Sequence, residues 1–207
     1  MDPITIAAVL FDMDGTLVDS DAAVERAWHA WATEFGVDPD AALAVAHGAP
    51  AERTVRLLLP GLTEDGVASA AARQLELQYG DLSDVVATKG AHGLLAALRL
   101  PWAVVTSADV GLAKARLGAA GIAAPVLVTV ADVRAGKPDP EGYLRAAELL
   151  GVAAQRCLVV EDAQVGVAAG RAAGARVAAL KGVDGDLPLR DLTELHHLLA
   201  SARSPTE

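Results

Sequence analysis

Aromatic residues are scarce in this chain, at 3% of 207 positions, so any core must be filled by aliphatic side chains and alanine. Such an alanine-rich composition favours helix. Only one cysteine is present, Cys157, which excludes an intrachain disulfide and agrees with a reducing compartment. Within the apolar run Cys157-Leu158-Val159-Val160 it reads as a small buried hydrophobe rather than a reactive thiol. Runs of lysine or arginine are missing as well, and the formal charge is −10, so the electrostatic footprint of a nucleic-acid binder is absent. A small phosphate ester is a different matter, because a few local cations outweigh distant charge that salt screens. No apolar stretch reaches the roughly 18 residues of a membrane-spanning helix, and Asp2 and Pro3 stand where a signal peptide carries basic residues. The expectation is a soluble, cytoplasmic protein with neither a membrane nor a nucleic acid as partner.

The length suits one medium domain, or a core with a small satellite. Apolar runs of strand length recur over residues 6–11, 102–105, 126–130, 157–160 and 176–180. Between the later runs lie segments such as 112–120 and 143–150, whose apolar residues stand three and four apart. Strand alternating with helix implies an α/β fold with a parallel sheet covered on both faces. Residues 19–86 break this rhythm, offering helical periodicity without a convincing strand, as an inserted helical unit would. Val24, Trp28, Trp31 and Phe35 fall on one helix face as packing residues, and Gly36 ends that helix. Thr63 is a candidate N-cap for a further helix reaching Tyr79.

The first apolar run leads directly into Asp12-Met13-Asp14-Gly15-Thr16. Two carboxylates then stand at the carboxyl end of a buried strand, where open α/β sheets place ligands. Taken alone, the same residues read equally well as a polar turn. The run at 102–105 delivers Thr106 and Ser107, and Asp109 is placed to start a helix whose amides face an anion. Lys137 is fixed by the following Pro138, with Asp139 and Pro140 suited to a helix start. The run at 157–160 ends in Glu161-Asp162, hard oxygen ligands suited to Mg²⁺. A carboxylate attacking phosphorus needs a metal, a cation and a second acid nearby, and these strand ends offer all of them.

Taken together, Asp12-Met13-Asp14-Gly15-Thr16, Thr106-Ser107, Lys137-Pro138 and Glu161-Asp162 resemble the motifs of the haloacid dehalogenase superfamily over nearly the whole chain. The resemblance implies a Rossmann-like three-layer core over residues 1–18 and 88–207, with an α-helical cap inserted over 19–87. It further implies a phosphatase acting through an aspartyl-phosphate, with Asp12 as nucleophile and Asp14 as general acid and base. By the same resemblance Thr106, Ser107 and Lys137 hold the phosphoryl group. Mg²⁺ is held by Asp12, by the Asp14 carbonyl, and by Asp162 with Glu161, directly or through water.

Departures from family patterns narrow the activity. Dehalogenases of the superfamily lack the second acid, and Asp14 is present. Phosphonatase-like members need a cap lysine, and residues 19–86 contain none. In β-phosphoglucomutase-type members a cap histidine and arginine assist transfer between sugar positions; the aligned positions here are Val24 and Ala51, with Arg53 close by. The resemblance is nearest to the sugar-phosphate and glycerol-phosphate phosphatases, so the expected substrate is a small sugar or polyol phosphate and the expected state a monomer. A phosphomutase and a catalytically silent phosphate-binding or partner-binding module stand as alternatives. His47, Gly48 and Ala49, backed by Glu52 and Arg53, form the candidate recognition loop. His29, His92, His196 and His197 lack partner acids at metal spacing.

Overall fold

The computed structural model describes residues 6–46 and 50–201. Its elements run in the order β1 (Ala8–Phe11), β2 (Val18–Asp19), α1 (Asp21–Phe35), α2 (Pro39–Ala46), α3 (Ala51–Leu58), α4 (Glu64–Gln78), β3 (Val86–Ala87), α5 (Ala91–Ala97), β4 (Trp102–Val105), α6 (Val110–Ala119), β5 (Leu127–Val128), α7 (Glu141–Leu149), β6 (Cys157–Glu161), α8 (Gln164–Ala172), β7 (Arg176–Ala179), β8 (Leu187–Pro188) and α9 (Leu192–Ser201). The main sheet is ordered β5-β4-β1-β6-β7-β8, and all its pairings are parallel. From β1 the chain builds outward to β5 on one side, then crosses back to β6 on the other. That reversal places a crevice at the carboxyl ends of β1, β4 and β6.

The two-residue period of β1 distributes its side chains to opposite faces. Val9 and Phe11 join Leu94, Leu112, Leu117, Leu192 and Leu195 in one apolar cluster, beneath α5, α6 and α9. Ala8 and Leu10 join Tyr143, Ala146, Val159 and Val167 in another, beneath α7 and α8. Burial on both faces is what demands the continuous apolar run Ala8–Phe11, with every residue 0% exposed.

Helices α1–α4 carry a third cluster, built on Trp28, Trp31, Ala32, Ala42, Val55, Val67 and Ala70. Trp31 is wholly buried and its Nε1–H donates to the Ala70 carbonyl at 2.8 Å, which fastens α1 to α4. Trp28 meets Trp31 edge-on and Phe35 stacks upon it, so these aromatics pack as expected. Gly36 takes the left-handed conformation that ends α1, and Thr63 accepts from the Gly66 N–H at the start of α4.

Several boundaries differ from the sequence expectation, each for a local reason. The run at 126–130 yields only Leu127–Val128 as strand, because Thr129 caps a tight turn over Val130–Asp132 with its hydroxyl. Helix α7 begins at Glu141 rather than at Pro140, with Asp139 Oδ1 accepting from the Glu141 N–H at 2.9 Å. Two short pieces have no counterpart in the sequence expectation: β8, and the antiparallel ribbon of β2 and β3, in which Val18 faces Ala87 and Asp19 faces Val86. Among the described residues no helix is long and apolar enough to cross a membrane.

Candidate active site

β1 releases the chain at Asp12, whose N–H donates to the Val160 carbonyl at 2.9 Å and so stays tied to β6. Lys137 reaches the same point from the loop ahead of α7, where its peptide bond to Pro138 is cis. Its Nζ donates to Asp12 Oδ1, to Glu161 Oε1 at 2.6 Å and to the Val105 carbonyl at 3.2 Å. A loop lysine is usually solvated, but this one is 6% exposed. Burial alone pulls an ammonium down in pKa, yet Asp12 and Glu161 outweigh it and Lys137 lies above its ordinary value. It is charged at neutral pH.

Glu161 is fully engaged. Oε1 accepts from Lys137 and from the Tyr143 hydroxyl at 2.7 Å, while Oε2 accepts from the N–H groups of Asp162 and Ala163 at 3.1 and 3.2 Å. Burial, followed by the Glu161 charge, holds the Tyr143 phenol well above its usual range, so it remains a donor. Asp162 is largely buried beside Lys181, at 3.2 Å, and accepts weakly from the Thr16 hydroxyl at 3.4 Å. Burial and then the Glu161 charge push its carboxyl up to about 6. Asp12 is likewise raised, first by burial and against the pull of Lys137.

Asp12, Glu161 and Asp162 each bring one carboxylate oxygen within 4.8 Å of the others. An all-oxygen, acidic donor set of this kind fits a hard divalent cation such as Mg²⁺. Raised carboxyl pKa values at a mutually repelling cluster fit the same reading, since a cation would relieve both burial and repulsion. Two glycines make the cluster possible. A Cβ on Gly15 would fall 2.0 Å from Asp162 Oδ2, and one on Gly166 would fall 1.7 Å from Glu161 Oε1.

Asp14 stands across the crevice, with its side chain 28% exposed. A cation is set against it. Arg116 Nη1 donates to Asp14 Oδ1 at 2.8 Å, and the Ser20 hydroxyl donates to the same oxygen at 2.6 Å.

Thr106 and Ser107 line the crevice beside Asp12, Asp14 and Asp162. The Thr106 hydroxyl accepts from the Ala108 N–H at 3.1 Å, fixing the turn after β4. The first amides of α6 are less open than expected, because Asp109 Oδ1 accepts from both Gly111 and Leu112. Above these residues opens a cleft of about 520 Å³, walled by α1, α3, α4 and α6. Its upper wall is mainly apolar, with Val24, Trp28, Ala51, Ala68, Ala71 and Leu75.

The inserted helices close on the core at separate points. Tyr79 donates to Asp109 Oδ1 at 2.7 Å, and Gln78 Oε1 accepts from Arg116 at 2.8 Å. Glu52 lines the cleft, but Arg53 does not point there; its Nη1 reaches the Lys137 carbonyl at 3.4 Å, bracing the loop instead. His47, Gly48 and Ala49 lie outside the described residues. Sequence reading missed Arg116, Tyr143 and Gly166 as parts of the site, and gave Gly15 only as a member of the first motif. Arg116 did carry a signal, since it occupies the buried face of α6 with Leu112 and Ala113, where an unpaired charge is costly.

Comparison with known proteins gives concordant results. The model of the haloacid dehalogenase-like hydrolase family matches residues 6–174. Hexitol phosphatase A of Escherichia coli is 45% identical over 175 residues, covering 83% of this chain and 81% of that protein. 2-Deoxyglucose-6-phosphate phosphatase 1 of Saccharomyces cerevisiae is 36% identical over 187 residues, covering 80% and 76%. The crystal structure of β-phosphoglucomutase from Clostridium difficile superposes with a TM-score of 0.84 at 19% identity, over 96% of each chain, which shows a shared fold.

Proposed function

This chain belongs to the haloacid dehalogenase-like hydrolases and is a phosphoric monoester hydrolase, and from that premise we propose that it releases phosphate from a hexitol or hexose phosphate through an aspartyl-phosphate at Asp12. The observation that carries the reading is the convergence of Asp12, Glu161 and Asp162 around the buried Lys137 at the floor of the cleft. The identity to hexitol phosphatase A supports the substrate class.

In the proposed reaction Asp12 attacks phosphorus, forming an Asp–O–P bond as the bond to the sugar oxygen breaks. Asp14 supplies the proton that the leaving oxygen takes. Asp14 then accepts a proton from water, which attacks the same phosphorus and frees phosphate and the Asp12 carboxylate. Ser20 and Arg116 both donate to Asp14 Oδ1, so Oδ2 is the oxygen assigned to carry the proton. Lys137, Thr106 and Ser107 hold the phosphoryl oxygens, with Lys137, itself 6% exposed, offsetting their charge. Asp12, Asp162 and the Asp14 carbonyl, with Glu161 directly or through water, would hold a Mg²⁺ ion, which would supply further charge neutralisation to the phosphoryl group.

The proposed cap over residues 19–87 covers the cleft and reads the organic part of the substrate. Val24 and Ala51 present apolar side chains to the cleft, which supports hydrolysis over mutase transfer. The test is phosphate release from hexitol, hexose and glycerol phosphates with Mg²⁺. The native chain is expected to release phosphate and Asp12→Asn to lose at least about 10³-fold, as for loss of a nucleophile. Isomerised product with little free phosphate would identify a mutase, and full turnover by Asp12→Asn would refute the mechanism.

A further inference from the structure

Arg116 is a guanidinium on the wrong face of its helix. It shares the buried side of α6 with Leu112, Ala113 and Leu117 and is 2% exposed. Burying a charge there is expensive unless it is paired and hydrogen-bonded. Nη1 takes Asp14 Oδ1 and Nη2 takes Gln78 Oε1, both at 2.8 Å. Nε, also buried, has no partner among the described residues. Arg116 also lines the cleft.

What the guanidinium does is join two parts of the molecule. Asp14 belongs to the loop after β1, and Gln78 closes α4 in the inserted helices. The planar fork of Arg spans both acceptors at fixed geometry, which a lysine ammonium on a flexible stem does not reproduce. A general acid must lie within hydrogen-bond reach of the oxygen it protonates, and a misplacement near 1 Å costs about 100-fold.

We infer that Arg116 is the positioning residue that aims Asp14 at the leaving oxygen, and that Gln78 makes this aim depend on where α4 stands. The inference rests on the proposed function, in which Asp14 supplies that proton. It goes beyond it by tying proton delivery to the inserted helices, so that the acid is correctly placed only when α4 lies over the cleft.

Leaving-group dependence tests it. A hexitol phosphate departs as an alkoxide that needs a proton, while p-nitrophenyl phosphate departs as a stable phenolate that needs little help. Arg116→Lys is expected to lower kcat/KM for the alkyl ester by about 100-fold and for the aryl ester by about threefold or less. Gln78→Leu, at a half-buried position whose amide also donates to the buried Gln74 Oε1, is expected to move the ratio the same way by about threefold, the shared loss of the Gln74 bond falling on both esters alike. Equal losses on both esters, or an unmoved ratio in both variants, would overturn the assignment while leaving the phosphatase reading intact. If the native chain cleaves neither ester, the proposed function fails and the inference falls with it.

Discussion

Lys137 satisfies Asp12, Glu161 and the Val105 carbonyl at once, and no water-exposed cation could replace it at 6% exposure. Lys137→Met would leave two carboxylates facing each other without their cation. Removing one partner from a buried ion pair costs about 3–5 kcal/mol, so the metal-free variant should unfold at markedly lower urea, with activity reduced at least about 100-fold. An unchanged urea midpoint would show that the lysine is not holding the site together. Asp12, Lys137, Glu161 and Asp162 were legible in the sequence because each follows an apolar run or is fixed by proline. Tyr143 was not, because a tyrosine on an apolar helix face looks like core until its hydroxyl is seen at Glu161. Gly15 and Gly166 matter through the side chains that would collide with a Cβ, which only the folded chain brings near.

At the scale of elements, the inserted helices have a core of their own, centred on Trp31. Because alanines fill much of the α1–α4 contact, few large side chains share the load. Trp31→Ala should therefore destabilise by about 3–5 kcal/mol, read by thermal or urea unfolding. The loss should exceed that of Trp28→Ala, since Trp28 borders the cleft and Trp31 also carries the hydrogen bond to Ala70. Equal costs would place the centre of this core elsewhere. The helical character of this region was readable from aromatic spacing, as were most strands of the main sheet. The β2–β3 ribbon and β8 were not, because two-residue strands fall below any periodicity window. We propose that the chain divides into core and cap at that ribbon, where Val18 faces Ala87.

For the molecule as a whole, the acid cluster sets a pH dependence. Asp162 is raised to about 6 and Asp12 is raised too, so the folded chain binds protons there more tightly than the unfolded chain does. Stability from Asp162 therefore falls as pH rises from about 4 through about 6, and Asp12 acts in the same direction. A divalent cation relieves that penalty, and binding only the folded form at 100 times its dissociation constant adds about 2.7 kcal/mol. The melting temperature should gain more from Mg²⁺ at about pH 7.5 than at about pH 5.5, where protons compete for the same oxygens. A gain that is absent, or larger at the acid pH, would argue against the cation site. The central claim, that Asp12 carries the phosphoryl group, can be read on the residue itself. Turnover of a hexitol phosphate is quenched in acid, the protein is reduced with borohydride, and the peptide spanning residue 12 is weighed. The account predicts homoserine at position 12, formed by reduction of the aspartyl-phosphate, and only when substrate is present. Unmodified aspartate there during steady turnover, with phosphate still being released, would contradict it.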